Sequence, residues 1–283
     1  MLLRPFTIYT PANLDETLRL FFSLENVKIQ AGGTFLLNSL KLMKKRNLKT
    51  PQNVLSLRKV KELKGITSDR DTLTIRAMTT IDELFTSSHL KDNFSVLHTV
   101  CRNISTQPIR NMATVGGNLT CRYTWTEMPA AMIGLGATMH FADKDGKASS
   151  LPAEEFFKSN AKTDKLFTHV TIKRDPKSSI AYRRVKKTQY VDIPMLSILV
   201  KTHFSNDKWN DTIVSVNNCV TFAQRDSKLE GFLNSSRSSK NLGEEALAHM
   251  DNTIYDNRSD EYKKHMFQVS MKSAIEELAS SRN

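Results

Sequence analysis

The sequence predicts a mixed α+β chain: an α/β N-terminal part of about 175 residues in two lobes, then a smaller α+β C-terminal part. Three observations lead there. Short apolar strands alternate with amphipathic helices up to about residue 173. A linker-like stretch over 174–179, with Pro176 and two serines, follows. Beyond it the pattern changes to long strands and then helices.

The elements follow in order. Residues 7–10 read as a strand closed by Pro11. Asn13, with Glu16 three residues on, marks a helix start in capping-box spacing, and Leu14, Leu18, Phe21 and Phe22 form its apolar face. A strand over 27–30 precedes a helix over 36–45, and Pro51 precedes a strand over 53–57. Gly65 marks a turn; 72–78 alternates, with Leu73, Ile75 and Ala77 on one side. Thr80 and Glu83 make a second capping box for a helix over 81–86. Phe94, Leu97, Val100, Cys101 and Ile104 recur at helical spacing, and 128–135 is a further helix. Strands at 137–142 and 148–151 flank Asp-Lys-Asp-Gly, a hairpin signal, and 167–173 is the next strand. The C-terminal part holds strands over 179–185, 193–204 and 212–223. Helices follow over 227–233 and 260–279, the last with Tyr262, Met266, Val269, Ala274, Ile275 and Leu278 on or near one face.

Composition narrows the classes. Hydrophobic content of 39% and charged content of 25% are those of a globular protein, and no run of apolar residues is long enough for a membrane span. The opening MLLRPFTIYTPAN is too short in its apolar part for a secretory signal and is broken by Arg4 and Pro5. Cys101, Cys121 and Cys219 fit no zinc or iron–sulfur spacing, so they read as free thiols in a reducing compartment, the cytoplasm. No metal site is expected, and redox chemistry here requires an organic cofactor. The net charge of +12 is spread along the chain, with clusters at 41–46, 58–64 and 183–187. Without a basic tail or aromatic-interleaved run, it reads as solvated surface with patches facing an acidic partner or an anionic cofactor, not as a nucleic-acid module.

Two glycine stretches stand out among only ten glycines. Residues 109–120 read IRNMATVGGNLT, and 27–37 read VKIQAGGTFLL. A Gly pair is a tight turn between buried segments, or a place where backbone approaches a ligand and successive N–H groups cradle an anion. Thr114 and Asn118 add side-chain hydrogen-bonding groups. Two such stretches can grip one diphosphate from both sides. No Ser–His–Asp, paired-carboxylate or His-pair constellation accompanies them, so no catalytic acid–base residue is assigned.

The two stretches, read together, resemble a known family: the medium, FAD-binding subunit of the molybdenum hydroxylases, which include xanthine dehydrogenase and the aerobic carbon monoxide dehydrogenases. AGGT at 31–34 matches its A-G-G-[TQ] turn, and QPIRNMATVGGN at 107–118 matches its Q-I-R-N-x-A-T-[IV]-G-G-N stretch. TLTIRAMTTIDEL, YRRVKKTQYVDIPML and NRSDEYKKHMF resemble, in order, the segment between these signatures, the start of the C-terminal domain and the last helix.

The resemblance implies a two-lobed PCMH-type (vanillyl-alcohol oxidase-like) FAD-binding domain over 1–175, with lobes of about 1–60 and 61–175, and a C-terminal domain of the CO dehydrogenase flavoprotein type over 176–283. It implies an FAD diphosphate walled by Ala31, Gly32, Gly33, Thr34 and Phe35 on one side. Thr114, Val115, Gly116, Gly117 and Asn118 form the other wall. Ile104 falls at an apolar flavin contact, and Arg183 or Arg184 falls near a cation that reaches the isoalloxazine. Glu127 stands where the family has an Asp that hydrogen-bonds a ribityl or ribose hydroxyl. Arg122, Tyr123 and Trp125 are bulky where the family is small, and Trp125 reads as core filling. The implied role is electron transfer from the 2Fe–2S clusters of a small subunit, fed by the molybdenum cofactor of a large subunit, through FAD to NAD or another acceptor. The alternatives are a stand-alone FAD oxidoreductase of the same fold and a scaffold subunit without flavin.

Overall fold

The computed structural model describes residues 3–121, 123–158, 164–188, 193–218, 222–256 and 261–281. Arg122, Cys219, residues 189–192 of the domain-start motif and 257–260 of the last-helix motif lie outside the described residues.

The first lobe contains β1 (Thr7–Tyr9), α1 (Leu14–Ser23), β2 (Val27–Gln30), α2 (Leu36–Lys45) and β3 (Asn53–Ser56). The strands run parallel in the order β1-β3-β2, so each connection needs a crossover, supplied by α1 and α2. Asn13 caps α1 by accepting from Glu16 N at 2.9 Å. The Glu16 carboxylate reaches back to Ala12 N, one residue before the cap. Leu55, Leu57, Val60, Leu63 and Met78 form the core of this lobe; Phe22, expected on the apolar face of α1, is exposed.

The second lobe contains β4 (Ile66–Ser68), β5 (Thr72–Arg76), α3 (Ile81–Phe85), α4 (Val96–Asn103), α5 (Gln107–Arg110), α6 (Val115–Thr120), α7 (Met128–Gly134), β6 (Thr138–Ala142), β7 (Ala148–Pro152), α8 (Ala153–Lys158) and β8 (Leu166–Lys173). Its antiparallel sheet has the order β4-β5-β8-β6-β7. The alternation in β5 puts Leu73 and Ile75 into the core with Met139, Phe141, Val170 and Ile172. The opposite face carries Arg76, His169 and His140 side by side, half-buried.

The C-terminal part contains β9 (Ser179–Lys186), β10 (Pro194–Ser205), β11 (Lys208–Asn217), β12 (Gln224–Arg225), α9 (Ser227–Ser235), α10 (Leu242–Leu247), α11 (Asn252–Tyr255) and α12 (Glu261–Ser280). The antiparallel order is β12-β11-β10-β9. Asn206 and Asp207 take positive φ in the β10–β11 turn, as a two-residue hairpin requires. That turn starts β11 at Lys208, and the strand ends at Asn217 rather than reaching 223. On α12 the buried stripe is Phe267, Met271, Ala274, Ile275 and Leu278, while Tyr262 and Val269, expected on that face, are exposed. One sheet face covers this stripe. The other meets α7, where Ser215 Oγ donates to Ala130 O at 2.8 Å and Leu199 joins the second lobe's core.

Candidate functional site

The two glycine stretches lie against each other. A Cβ on Gly32 would stand 2.8 Å from Met112 C and 3.0 Å from Ala113 Cα, so only glycine permits this approach. A Cβ on Gly117 would stand 3.6 Å from Ala31 Cβ. Gly33 takes φ +74, turning the chain from β2 into α2.

The stretches differ in what they offer. In the second, Val115 N donates to Thr79 O at 2.9 Å and Gly116 N to Ala77 O at 2.8 Å. Gly117 N donates to Thr114 Oγ1 at 3.1 Å and Asn118 N to Thr114 O at 2.9 Å. The expected N–H cradle is therefore absent from 115–118. This stretch is the first turn of α6, capped by Thr114, and Gly116 packs on Ala77 where a side chain would collide. Its free group is the Asn118 Oδ1, buried and without a partner among the described residues.

The first stretch is the reverse. Among the described residues, no acceptor takes the backbone N–H of Gly32, Gly33, Thr34 or Phe35. They lead into α2, whose N-terminus has neither a side-chain cap nor an acidic residue in its first turn. Unpaired donors and the positive end of a helix dipole together favour an anion. Phe35 meets Tyr123 edge-on at 4.7 Å, and Tyr123 stacks on Trp125 at 4.3 Å. Trp125 is thus half-buried in an aromatic ladder beside the loop, not in the core as expected.

Beyond Trp125, Glu127 and Arg184 form a buried ion pair across the junction between α7 and β9. Burial pushes the Glu127 carboxyl up to about 7, against the pull of the Arg184 guanidinium. Around the pair, Asn217 Oδ1 is buried without a hydrogen-bond partner among the described residues, and the buried hydroxyls of Tyr182 and Ser197 face each other. Ser197 is the cross-strand neighbour of both Arg184 and Asn217. Adjacent strand residues point to opposite faces, so Arg183 goes elsewhere: it bonds Ser273 O at 3.0 Å and Glu277 Oε2 at 2.5 Å on α12. The structure brings Arg184, and not Arg183, to Glu127.

Ile104 ends α4 and packs partly buried on the second lobe's core. Its carbonyl accepts from Arg110 Nη1 at 3.3 Å, as does that of Ser105 at 3.4 Å, where φ is +49. Arg110 also faces Asp82 at 3.4 Å and lies over Phe85 at 5.5 Å. Sequence reasoning assigned Arg110 no role. Its position in the quoted motif was the available signal, and its work is to hold the 102–105 loop. Among the described residues, no group of three or more His, Cys, Asp or Glu is placed to hold a metal.

Residues 4–174 match the family described as the FAD binding domain in molybdopterin dehydrogenase. The chain is 26% identical over 159 residues to the glyceraldehyde dehydrogenase medium chain of Sulfolobus acidocaldarius, covering 56% of this chain and 55% of that protein. It is 26% identical over 203 residues to the nicotinate dehydrogenase FAD-subunit of Eubacterium barkeri, covering 69% and 67%. The match thus spans about half the length of the first relative and two thirds of the second. Among solved structures, the reconstituted CO dehydrogenase from Oligotropha carboxidovorans superposes with a TM-score of 0.87 at 25% identity, covering 100% of both chains. CO dehydrogenase from Hydrogenophaga pseudoflava superposes with a TM-score of 0.89 at 21% identity, covering 100% of this chain and 99% of that one.

Proposed function

This chain belongs to the family of FAD binding domains in molybdopterin dehydrogenases, and on that premise we propose that it is the electron-transfer flavoprotein subunit of a molybdenum hydroxylase. The observation that carries the reading is the meeting of the two glycine stretches, where the N–H groups of residues 32–35 and the Asn118 Oδ1 have no partners among the described residues. Those donors suit a diphosphate, and the lone acceptor suits a hydroxyl or N–H of the same dinucleotide.

FAD, when bound, supplies the redox chemistry. The chain's residues hold and tune it. Gly32, Gly33, Thr34 and Phe35 would donate to the diphosphate from the N-terminal end of α2, with Ala31 alongside against Gly117. Thr114, Val115, Gly116 and Gly117 form a floor thin enough for close approach, and Asn118 fixes a polar group. Ile104 supplies apolar contact. Arg184 sets its guanidinium against Glu127, and Glu127, raised by burial to about 7, can hold or release a proton near neutrality. Arg183 is left out, since its guanidinium is committed to α12.

Residues 1–175 form the FAD-binding part and 176–283 the C-terminal part of this subunit. Its partners are a molybdopterin-binding large subunit and a 2Fe–2S small subunit in the cytoplasm, with NAD or another carrier as acceptor.

The test is the visible spectrum and released-cofactor analysis of the purified chain. About one FAD per chain is expected. Gly32→Val forces the two glycine stretches apart and is expected to lower FAD content at least about tenfold while far-UV circular dichroism persists. A wild-type chain that stays colourless with added FAD, even in its complex, would overturn the reading in favour of a flavin-free scaffold.

A further inference from the structure

We propose that the solvent face of α2 and the adjoining mouth of the candidate site dock an acidic protein surface, that of the subunit with which this chain exchanges electrons. The inference rests on the flavoprotein-subunit reading for the partner's identity, but on the distribution of charge and apolar surface for its place.

The positive charge is concentrated in the first lobe, which holds two of the three clusters that the sequence shows, 41–46 and 58–64. Residues 1–64 hold twelve Lys and Arg against four Asp and Glu, so they carry +8 of the chain's +12. Between Glu25 and Glu62 there are nine Lys and Arg and no acid. A single dinucleotide diphosphate neutralises only a fraction of this. Lys41, Lys45, Arg46 and Lys49 are all exposed, on and just after α2.

Exposed apolar residues stand on and just after the same helix. Leu40 is buried beneath the helix, but Leu37 is 54%, Leu42 44% and Leu48 50% exposed. Leu37, Lys41 and Lys45 recur at intervals of four, so they share one stripe. At the α2 N-terminus the stripe meets exposed Phe35, and Gly32 in turn backs onto exposed Met112. These leucines add nothing to the fold's core. Exposed leucines interleaved with exposed cations have the composition of a docking surface, and one sign of charge selects an acidic partner and steers its approach.

The test is reassembly. The tagged chain is titrated with partner subunits from the dissociated wild-type complex. Wild type is compared with Leu37→Ser/Leu42→Ser and with Lys41→Glu/Lys45→Glu/Lys49→Glu. These side chains face solvent, so Tm and FAD content are expected to stay at wild-type values. The wild-type Kd is expected to rise at least about tenfold between about 50 and 500 mM NaCl. The leucine pair is expected to weaken assembly about tenfold, and the triple charge reversal about a hundredfold at the lower salt.

Wild-type affinity and salt response in the triple reversal would overturn the proposal. So would binding of wild type to phosphatidylglycerol vesicles or a DNA duplex that the reversal abolishes while assembly is untouched. A chain that assembles in this way but never holds flavin would condemn the flavoprotein reading and leave the docking surface standing.

Discussion

At the scale of single residues, the junction pair Glu127–Arg184 makes the sharpest demand. Both side chains are buried, and removing one partner of a buried pair commonly costs about 3–5 kcal/mol because the other charge stays behind. Glu127 can escape that cost by taking up a proton. Arg184→Met is therefore expected to destabilise strongly at pH 8 and much less at pH 5, read as urea midpoints at the two pH values. The wild type carries a related signature. The folded Glu127 carboxyl lies at about 7, above its ordinary 4.5, so the folded chain binds the extra proton between these values. Its contribution to stability consequently falls as pH rises through that window. Glu127→Gln is expected to flatten that part of the stability profile; an unchanged profile would show that the pair does not titrate there.

At the scale of elements, the row Arg76–His169–His140 across β5, β8 and β6 predicts an acid response of its own. The two imidazoles stack at 4.2 Å with 4° between planes. Burial first, then His140 and Arg76, push His169 down to about 4 from 6.5. The folded state keeps His169 neutral where the unfolded chain takes a proton. The stability it supports is present above about 6.5 and is lost as pH falls toward 4. His169→Gln is expected to remove that slope in thermal melts between pH 7 and 4. The same scale shows what could be read from the sequence. Strands with clear alternation, such as 72–76, and helices announced by a capping pair, such as Ile81–Phe85, were legible because the signal lies within a few residues. The helix Val115–Thr120 was not. Two glycines disfavour a helix locally, and it forms because Gly116 packs directly on Ala77 and Thr114 caps it. That contact crosses some forty residues of sequence, and the pairing of Glu127 with Arg184 crosses 57. The motifs marked two stretches that the fold brings into contact. They could not say that, among the described residues, one stretch leaves its backbone N–H groups without acceptors while the other has spent them.

At the scale of the whole molecule, the question is whether the FAD-binding part and the C-terminal part stand alone. The packing says that they do not. α7 is covered on one side by the second lobe and on the other by β10 and β11. A Cβ on Gly134 would stand 2.7 Å from Ser215 Oγ, and Leu199 completes the second lobe's core. A truncated chain ending near 175 would leave α7 facing water. The two parts are therefore expected to unfold together. The chain's two tryptophans allow a direct check, since Trp125 lies beside the glycine loop and Trp209 is fully buried in the C-terminal core. With Trp125→Phe and Trp209→Phe as separate reporters, the fluorescence midpoints should coincide in both urea and heat, as a two-state transition requires. Gly134→Val should lower both midpoints together, because it wedges the shared surface apart rather than damaging either core. Midpoints separated by more than about 5 °C, or a Gly134→Val effect confined to one reporter, would show two units that fold alone. The ion pair at Glu127 and Arg184 would then sit at a hinge instead of inside a single cooperative body.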